Sequence, residues 1–392
     1  MRSALCAVRS LAVLALSGVL STPLNANPYL PANDADVLAT LPAGAHHEEM
    51  AARRLARSRL DVAIPLAQFY IAQARASGDL RFLGYAEAVL APWIAADTPV
   101  PAALVLQATL QQSRHEFAAA LATLDCSLGA KPNDPQAWLT RATVLRVLGR
   151  YTEAQAACTQ FMRWADAGVG LICRQSIEGM AGHLESAYSA LKHLSTQGMM
   201  TAELAWRESE LGEMAVRLGR DADAERWFRE GLDVDPHDFY VRAALADLLL
   251  RQRRDAEILP LLQGQESIEP LLLRLAIAQR HLHDPNFTRS RELLQSAFEA
   301  EAARGEAVHR REQARFLLDV QDRPEEALAA ALANWAVQRE PDDALVLVNA
   351  ARRIGDMRRA GPALEFVRTQ GLQDARLAST PLFRNDLRSI EY

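Results

Sequence analysis

Few residues of this chain stand out as reactive or metal-binding: four cysteines and two histidine clusters. His281-x-His283-Asp284 stands just before Pro285, in an expected turn where both imidazoles could reach one ion. Asp284 as a third ligand would need help from elsewhere, so the stretch reads first as a polar turn and second as part of a metal site. In His46-His47-Glu48-Glu49 the adjacent imidazoles point about 100° apart on a helix, which suits a single metal poorly. No C-x-x-C, H-E-x-x-H, G-x-S-x-G or P-loop pattern occurs. No nucleophile, base and orienting group can be assembled from spacing. The sequence therefore assigns no catalytic residue, no resident metal and no cofactor.

Whatever such side chains do, helices must position them. The chain has 392 residues, with 49% apolar and 23% charged side chains, only 6% aromatic, and abundant alanine, the best helix former. No run of β-branched residues reads as a strand, so the fold class is all-α. The length exceeds what one globular core usually organises, a limit that stacked repeats escape. The net charge is −6, and Lys131 and Lys192 are the two lysines. Scattered arginine on an acidic chain lacks the concentrated basic surface that nucleic-acid binding needs.

The clearest organising stretch is Pro135 to Phe161. Trp138, Ala142 and Leu145 recur at spacings of four and three, then Ala154, Cys158 and Phe161 do the same beyond Leu148-Gly149-Arg150-Tyr151. Each trio falls on one helix face, and the small Ala142 and Ala154 let the two helices approach closely. The stretch resembles a tetratricopeptide repeat, a helix–turn–helix unit of about 34 residues. Small residues that would open the second helix recur at Ala86, Ala120, Ala154, Ala187, Ala224, Ala256, Ser290, Ala327 and Ala360, at intervals of 32 to 37. The expected architecture is a superhelical solenoid of about nine units spanning residues 61–372. A leader and capping helix (27–60) would precede it and a tail (373–392) follow. Asn133-Asp134-Pro135 and Asp235-Pro236-His237-Asp238 read as turn and N-cap chemistry. Pro260 suggests a kinked or short helix in the unit of Ala256.

Arg2 and Arg9 flank the start of the apolar run Leu11-Ala12-Val13-Leu14-Ala15-Leu16, with Ser17-Gly18 after it. This is the plan of a secretory signal peptide over residues 1–26, cleaved near Ala26, although Leu24 is bulky for its place. The alternative is an uncleaved anchor, for which the run is short. No later stretch of about 20 apolar residues could span a membrane. The expectation is an exported bacterial protein, periplasmic or secreted. Cys158 and Cys173 fall on consecutive helices of the solenoid and form either a disulfide or two buried thiols. Cys126 is expected to be buried near Leu124 and Leu128.

The resemblance implies that first helices line a concave face at the second, fifth, ninth and twelfth places of each unit. These are Gln136, Leu139, Thr143 and Arg146, then Trp206, Ser209, Glu213 and Val216, with Tyr240 and Asp247 as counterparts in the next unit. Trp206, Tyr240 and Arg146 are the expected anchors. Against that, Trp206 could pack between units and Arg146 and Glu213 could be merely solvated. The lysines and asparagines with which chaperone-tail binders of this family grip a carboxylate are missing from these places. The expected function is a non-catalytic scaffold that holds a protein or peptide partner. The alternatives are a self-associating envelope component and, less favoured, a metal-dependent enzyme with its site near His281 and His283.

Overall fold

The capping and spacing signals translate into local structure directly. Asp134 accepts hydrogen bonds from the backbone N–H groups of Gln136 and Ala137, with Pro135 in the first helical position. Asp238 caps its helix through the N–H of Val241 in the same way. A computed structural model of the chain describes residues 45–303 and 309–378. The signal-like segment 1–26, the leader 27–44 and the tail beyond residue 378 lie outside the described residues, as do the side chains of His46 and His47.

Among the described residues there are twenty α-helices and no strand. Helix α1 (Ala45–Ala56) precedes nine consecutive pairs. These are α2 (Leu60–Ser77) with α3 (Arg81–Ile94), α4 (Pro101–Ser113) with α5 (Phe117–Ala130), and α6 (Pro135–Val147) with α7 (Tyr151–Phe161). Next come α8 (Ala167–Glu178) with α9 (Leu184–Lys192), α10 (Thr201–Arg217) with α11 (Asp221–Val234), and α12 (Phe239–Arg251) with α13 (Asp255–Leu262). Then α14 (Glu269–Leu282) pairs with α15 (Phe287–Ala303). Helix α16 (Arg310–Arg315, continued as a π-helical stretch Phe316–Val320) pairs with α17 (Pro324–Trp335). Last, α18 (Pro341–Arg353) pairs with α19 (Gly361–Gln370), and α20 (Ala375–Ala378) packs on α10 and α18. Short turns make each pair antiparallel.

The small-residue series marks the second helices. Ala86, Ala120, Ala154, Ala187, Ala224, Ala327 and Ala360 are fully buried and Ser290 nearly so. Ala256 is the exception, since it is exposed and Ile258 is buried in its place. The intervals there become 34 and 32. In α13 a larger apolar residue fills the contact, and Asp255, Ile258 and Leu262 share the inward face. Pro260 lies inside this helix, which is eight residues long.

Cys158 and Cys173 are joined as a disulfide between α7 and α8, with Cα atoms 5.8 Å apart. Closing a loop of 15 residues restricts the unfolded chain by about 3 kcal/mol in the loop-entropy estimate. Cys126 is half-buried rather than buried.

The solenoid winds tightly enough for distant units to touch. One apolar cluster holds Leu124, Leu145 and Phe161 together with Leu328, Leu347 and Val367. The turns between first and second helices carry this contact. Gly78 meets Ile268, Gly149 meets Phe366, Gly182 meets the backbone of Gly371, and Gly219 meets Ala375. The Arg339 N–H donates to the Val147 carbonyl at 2.8 Å across the same seam. Gly149 has φ +72°, and a Cβ there would lie 2.5 Å from the Phe366 ring. Gly198 is also left-handed (φ +85°) but has nothing within 4 Å. Gly198→Ala is expected to cost about 1 kcal/mol of backbone strain. Gly149→Ala is expected to cost roughly 2–4 kcal/mol, the same strain plus overpacking against Phe366. Urea unfolding of both variants checks this, and equal losses would mean that the seam carries no stability.

Candidate functional site

First helices turn their polar positions toward the interior of the superhelix, because their apolar positions are used against the neighbouring pairs. In the later units the result is a groove of about 1400 Å³. Helices α10, α12, α14, α16 and α18 line it, with the α4–α5 turn at one border and Ala375 and Arg376 at another. Nine arginines and seven carboxylates border it. A chain of net charge −6 thus has a groove of the opposite balance.

The side chains hold one another in place. Asp247 accepts from Arg274 at 2.7 Å and from Arg315 at 2.8 Å. Burial opposes its charge, but the two guanidinium groups outweigh it and hold its pKa below the usual carboxylate range. Tyr240, 47% exposed, donates its phenol to Glu213 at 3.2 Å. The Glu213 carboxylate pushes the phenol well above its ordinary value. Burial, and then the Asp342 carboxylate, raise Glu213 itself to about 7 against the pull of Arg376 and Arg217. Asp342, paired with Arg376 at 2.7 Å, is held low by Arg376 and Arg311 despite burial.

Of the residues singled out from the sequence, Glu213, Tyr240, Asp247 and Val216 come together in this groove. Arg146 is half-buried next to it. It spans from Glu210 at 3.1 Å to Glu340 at 3.6 Å, and these partners keep it charged although burial opposes that. Trp206 is half-buried against two apolar clusters and donates to Glu210, which is packing between units. Gln136 is exposed and bonds to Thr140, Thr143 donates to the Leu139 carbonyl, and Ser209 is half-buried; none of the three borders the groove.

The same positional rule, extended to later units, finds what the sequence reading left out. In α18 it gives Asp342, Leu345, Asn349 and Arg352, all of which line the groove. In α14 it gives Pro270, Ile277 and Arg280, which also line it, and Leu273, which is buried instead. In α16 it gives Arg311 and, further on, Leu318, which line it too. Arg274, Glu312, Arg315 and Glu340 lie off these places, and no spacing signal marks them.

His281 and His283 do not assemble a metal site. His281 Nδ1 lies 2.7 Å from Asp255, and its Nε2 lies 3.0 Å from Arg253. His283 has φ +56° at the end of α14. Elsewhere, Glu269, Glu301 and His309 bring ligand-type atoms within 4.8 Å of one another. His309 Nδ1 lies 2.7 Å from Glu301 and 3.2 Å from Glu269.

Stacked helix pairs with small residues at the pair interface and polar first-helix positions turned inward give the chain a solenoid fold of the tetratricopeptide type. No family model matches the chain, and no curated protein matches it. Among solved structures it is similar to a thermophilic TPR protein of Thermus thermophilus, at 18% identity over 52% of this chain and 99% of that one (TM-score 0.39). It is similar to Cut9-Hcn1 of an APC/C hetero-tetramer, at 14% identity over 78% of this chain and 58% of that one (TM-score 0.45). A tetratricopeptide repeat protein from Parabacteroides merdae is similar at 15% identity over 73% of this chain and 99% of that one (TM-score 0.34).

The raised carboxyl of Glu213 has a signed consequence. Its folded pKa lies above its unfolded value, so the folded state holds the extra proton, and stability from this group falls as pH rises from about 4.5 to about 7. Glu213→Gln keeps an acceptor for Tyr240 and removes the charge. It is expected to be neutral at pH 5 and to stabilise by about 1–3 kcal/mol at pH 8.5, read by urea unfolding at the two pH values.

Proposed function

We propose that this chain is an exported, non-catalytic scaffold of the bacterial envelope that holds an extended, carboxylate-bearing segment of a partner protein in its inner groove. The observation that carries the reading is the charge reversal: arginines outnumber carboxylates along the groove of an acidic chain. Guanidinium groups on opposed helices favour bidentate contact with carboxylates, and Tyr240 supplies an exposed, amphipathic face among them. A tetratricopeptide-type fold is consistent with a protein-interaction scaffold. Export rests on the apolar run after Arg9 and draws support from the Cys158–Cys173 disulfide, which suits an oxidising compartment. Among the described residues no helix is long and apolar enough to cross a membrane.

Fluorescence anisotropy with synthetic peptides of acidic, neutral and basic composition, each about twelve residues long, tests the groove. The acidic set is expected to bind best and to weaken as salt rises. Tyr240→Ala combined with Arg352→Ala is expected to lower that affinity about tenfold, near 1.4 kcal/mol, with unchanged circular dichroism. Equal binding of basic and acidic peptides would overturn the reading. Intact mass of the protein from a periplasmic fraction is expected to begin at Asn27, and a full-length species confined to the cytosol would remove the export part.

A further inference from the structure

We infer that Glu269, Glu301 and His309 form a binding site for one first-row divalent cation, with zinc as the fitting case. The three residues come from the first turn of α14, the last turn of α15 and the residue before α16. Three separate helix ends thus aim ligand atoms at one point, all within 4.8 Å of each other. Around a tetrahedral ion with bonds of about 2.0–2.1 Å, ligand atoms stand about 3.3 Å apart. The observed 2.7 and 3.2 Å from His309 Nδ1 to the two carboxylates need only small side-chain adjustments to reach that spacing.

Two further observations set this cluster apart from an ordinary ion pair. The Oε1 atom of Glu269 is buried 3.2 Å from His309 Nδ1 but receives no well-directed hydrogen bond, because the one Nδ1–H of His309 is directed at Glu301. An acceptor left in that state is costly unless something else fills the gap. Second, the arginine-rich interior pairs most of its other carboxylates with guanidinium groups: Asp247 with Arg274 and Arg315, Asp374 with Arg376, and Asp343 with Arg311, whereas Asp255 meets a single imidazole, His281. Among the described residues, Glu269 and Glu301 have only the shared imidazole. Two carboxylates and a neutral imidazole carry a charge of −2, which one divalent cation cancels. Three protein ligands leave a position for water or a partner's oxygen, and His309 borders the groove. A proton on Nδ1 and the cation compete for the same place.

The test is isothermal titration of the tag-free, EDTA-treated full chain with zinc chloride. One equivalent is expected to bind saturably and to raise Tm. Glu269→Gln and Glu301→Gln, each nearly isosteric, are each expected to weaken binding at least tenfold and to abolish the zinc-dependent rise in Tm, with helical content unchanged in the absence of metal. His281→Ala is expected to leave zinc binding as it was. No saturable uptake by the folded wild-type chain would overturn the site, as would uptake that survives both glutamine variants. Loss of uptake in His281→Ala instead would place any ion elsewhere and also overturn it. Peptide binding by the groove is a separate measurement and stands or falls without zinc.

Discussion

The seam between turns of the early units and elements of the later ones governs the shape of the whole molecule. Gly149 against Phe366, Gly182 against Gly371 and Gly219 against Ala375 place successive turns of the solenoid edge along one C-terminal stretch. A side chain at Gly149 would push Phe366 away, and that ring also meets Tyr151 at 5.9 Å and Trp335 at 5.4 Å between centroids. Nearest-neighbour packing alone would leave a solenoid open. Here Leu145 and Val367 share one apolar cluster although they stand far apart in the chain, so the early and late units stabilise each other.

Closure has an electrostatic price, since it draws charged first-helix side chains into a narrow interior. The arrangement offsets that cost by saturating most of them. Asp343 accepts from Asn334 at 2.8 Å and Gln338 at 3.0 Å, and takes the backbone N–H of Glu340 at 2.8 Å. Burial still raises its carboxyl to about 6, against the nearby Arg311. Arg207, almost fully buried, donates to the carbonyls of Leu191 and Lys192 and pairs with Glu208 at 2.6 Å. Such pairs contribute modestly to net stability. Removing one partner leaves an uncompensated charge, so they fix register more than they add strength.

Function follows from where saturation is incomplete. The groove keeps an excess of guanidinium groups, an exposed Tyr240 and a carboxyl at Glu213 that titrates near neutrality. It also adjoins a carboxylate–imidazole cluster with an unsatisfied oxygen. These features share a border because all sit where the first helices of the later units face the same space.

The local units are legible in the order of residues alone. Small residues at the pair interface, Asp134 and Asp238 at helix starts and Pro260 in a short helix are properties of neighbouring residues, and periodicity reports neighbours. Periodicity misplaces Ala256, because a small residue and a buried residue stand two places apart there and only packing distinguishes them. The rule for concave positions finds Glu213, Tyr240 and Asp247 and, carried into α18, finds Asp342 and Arg352 as well. Its failure at Gln136 and Thr143 is of another kind. The groove runs along the later units, which periodicity does not mark. That Cys158 and Cys173 join and that His309 rather than His281 meets two carboxylates were decided by packing between adjacent helices, and that Gly149 meets Phe366 was decided by superhelical winding. That winding accumulates small rotations over many units, so it brings together residues whose sequence spacing carries no trace of their contact.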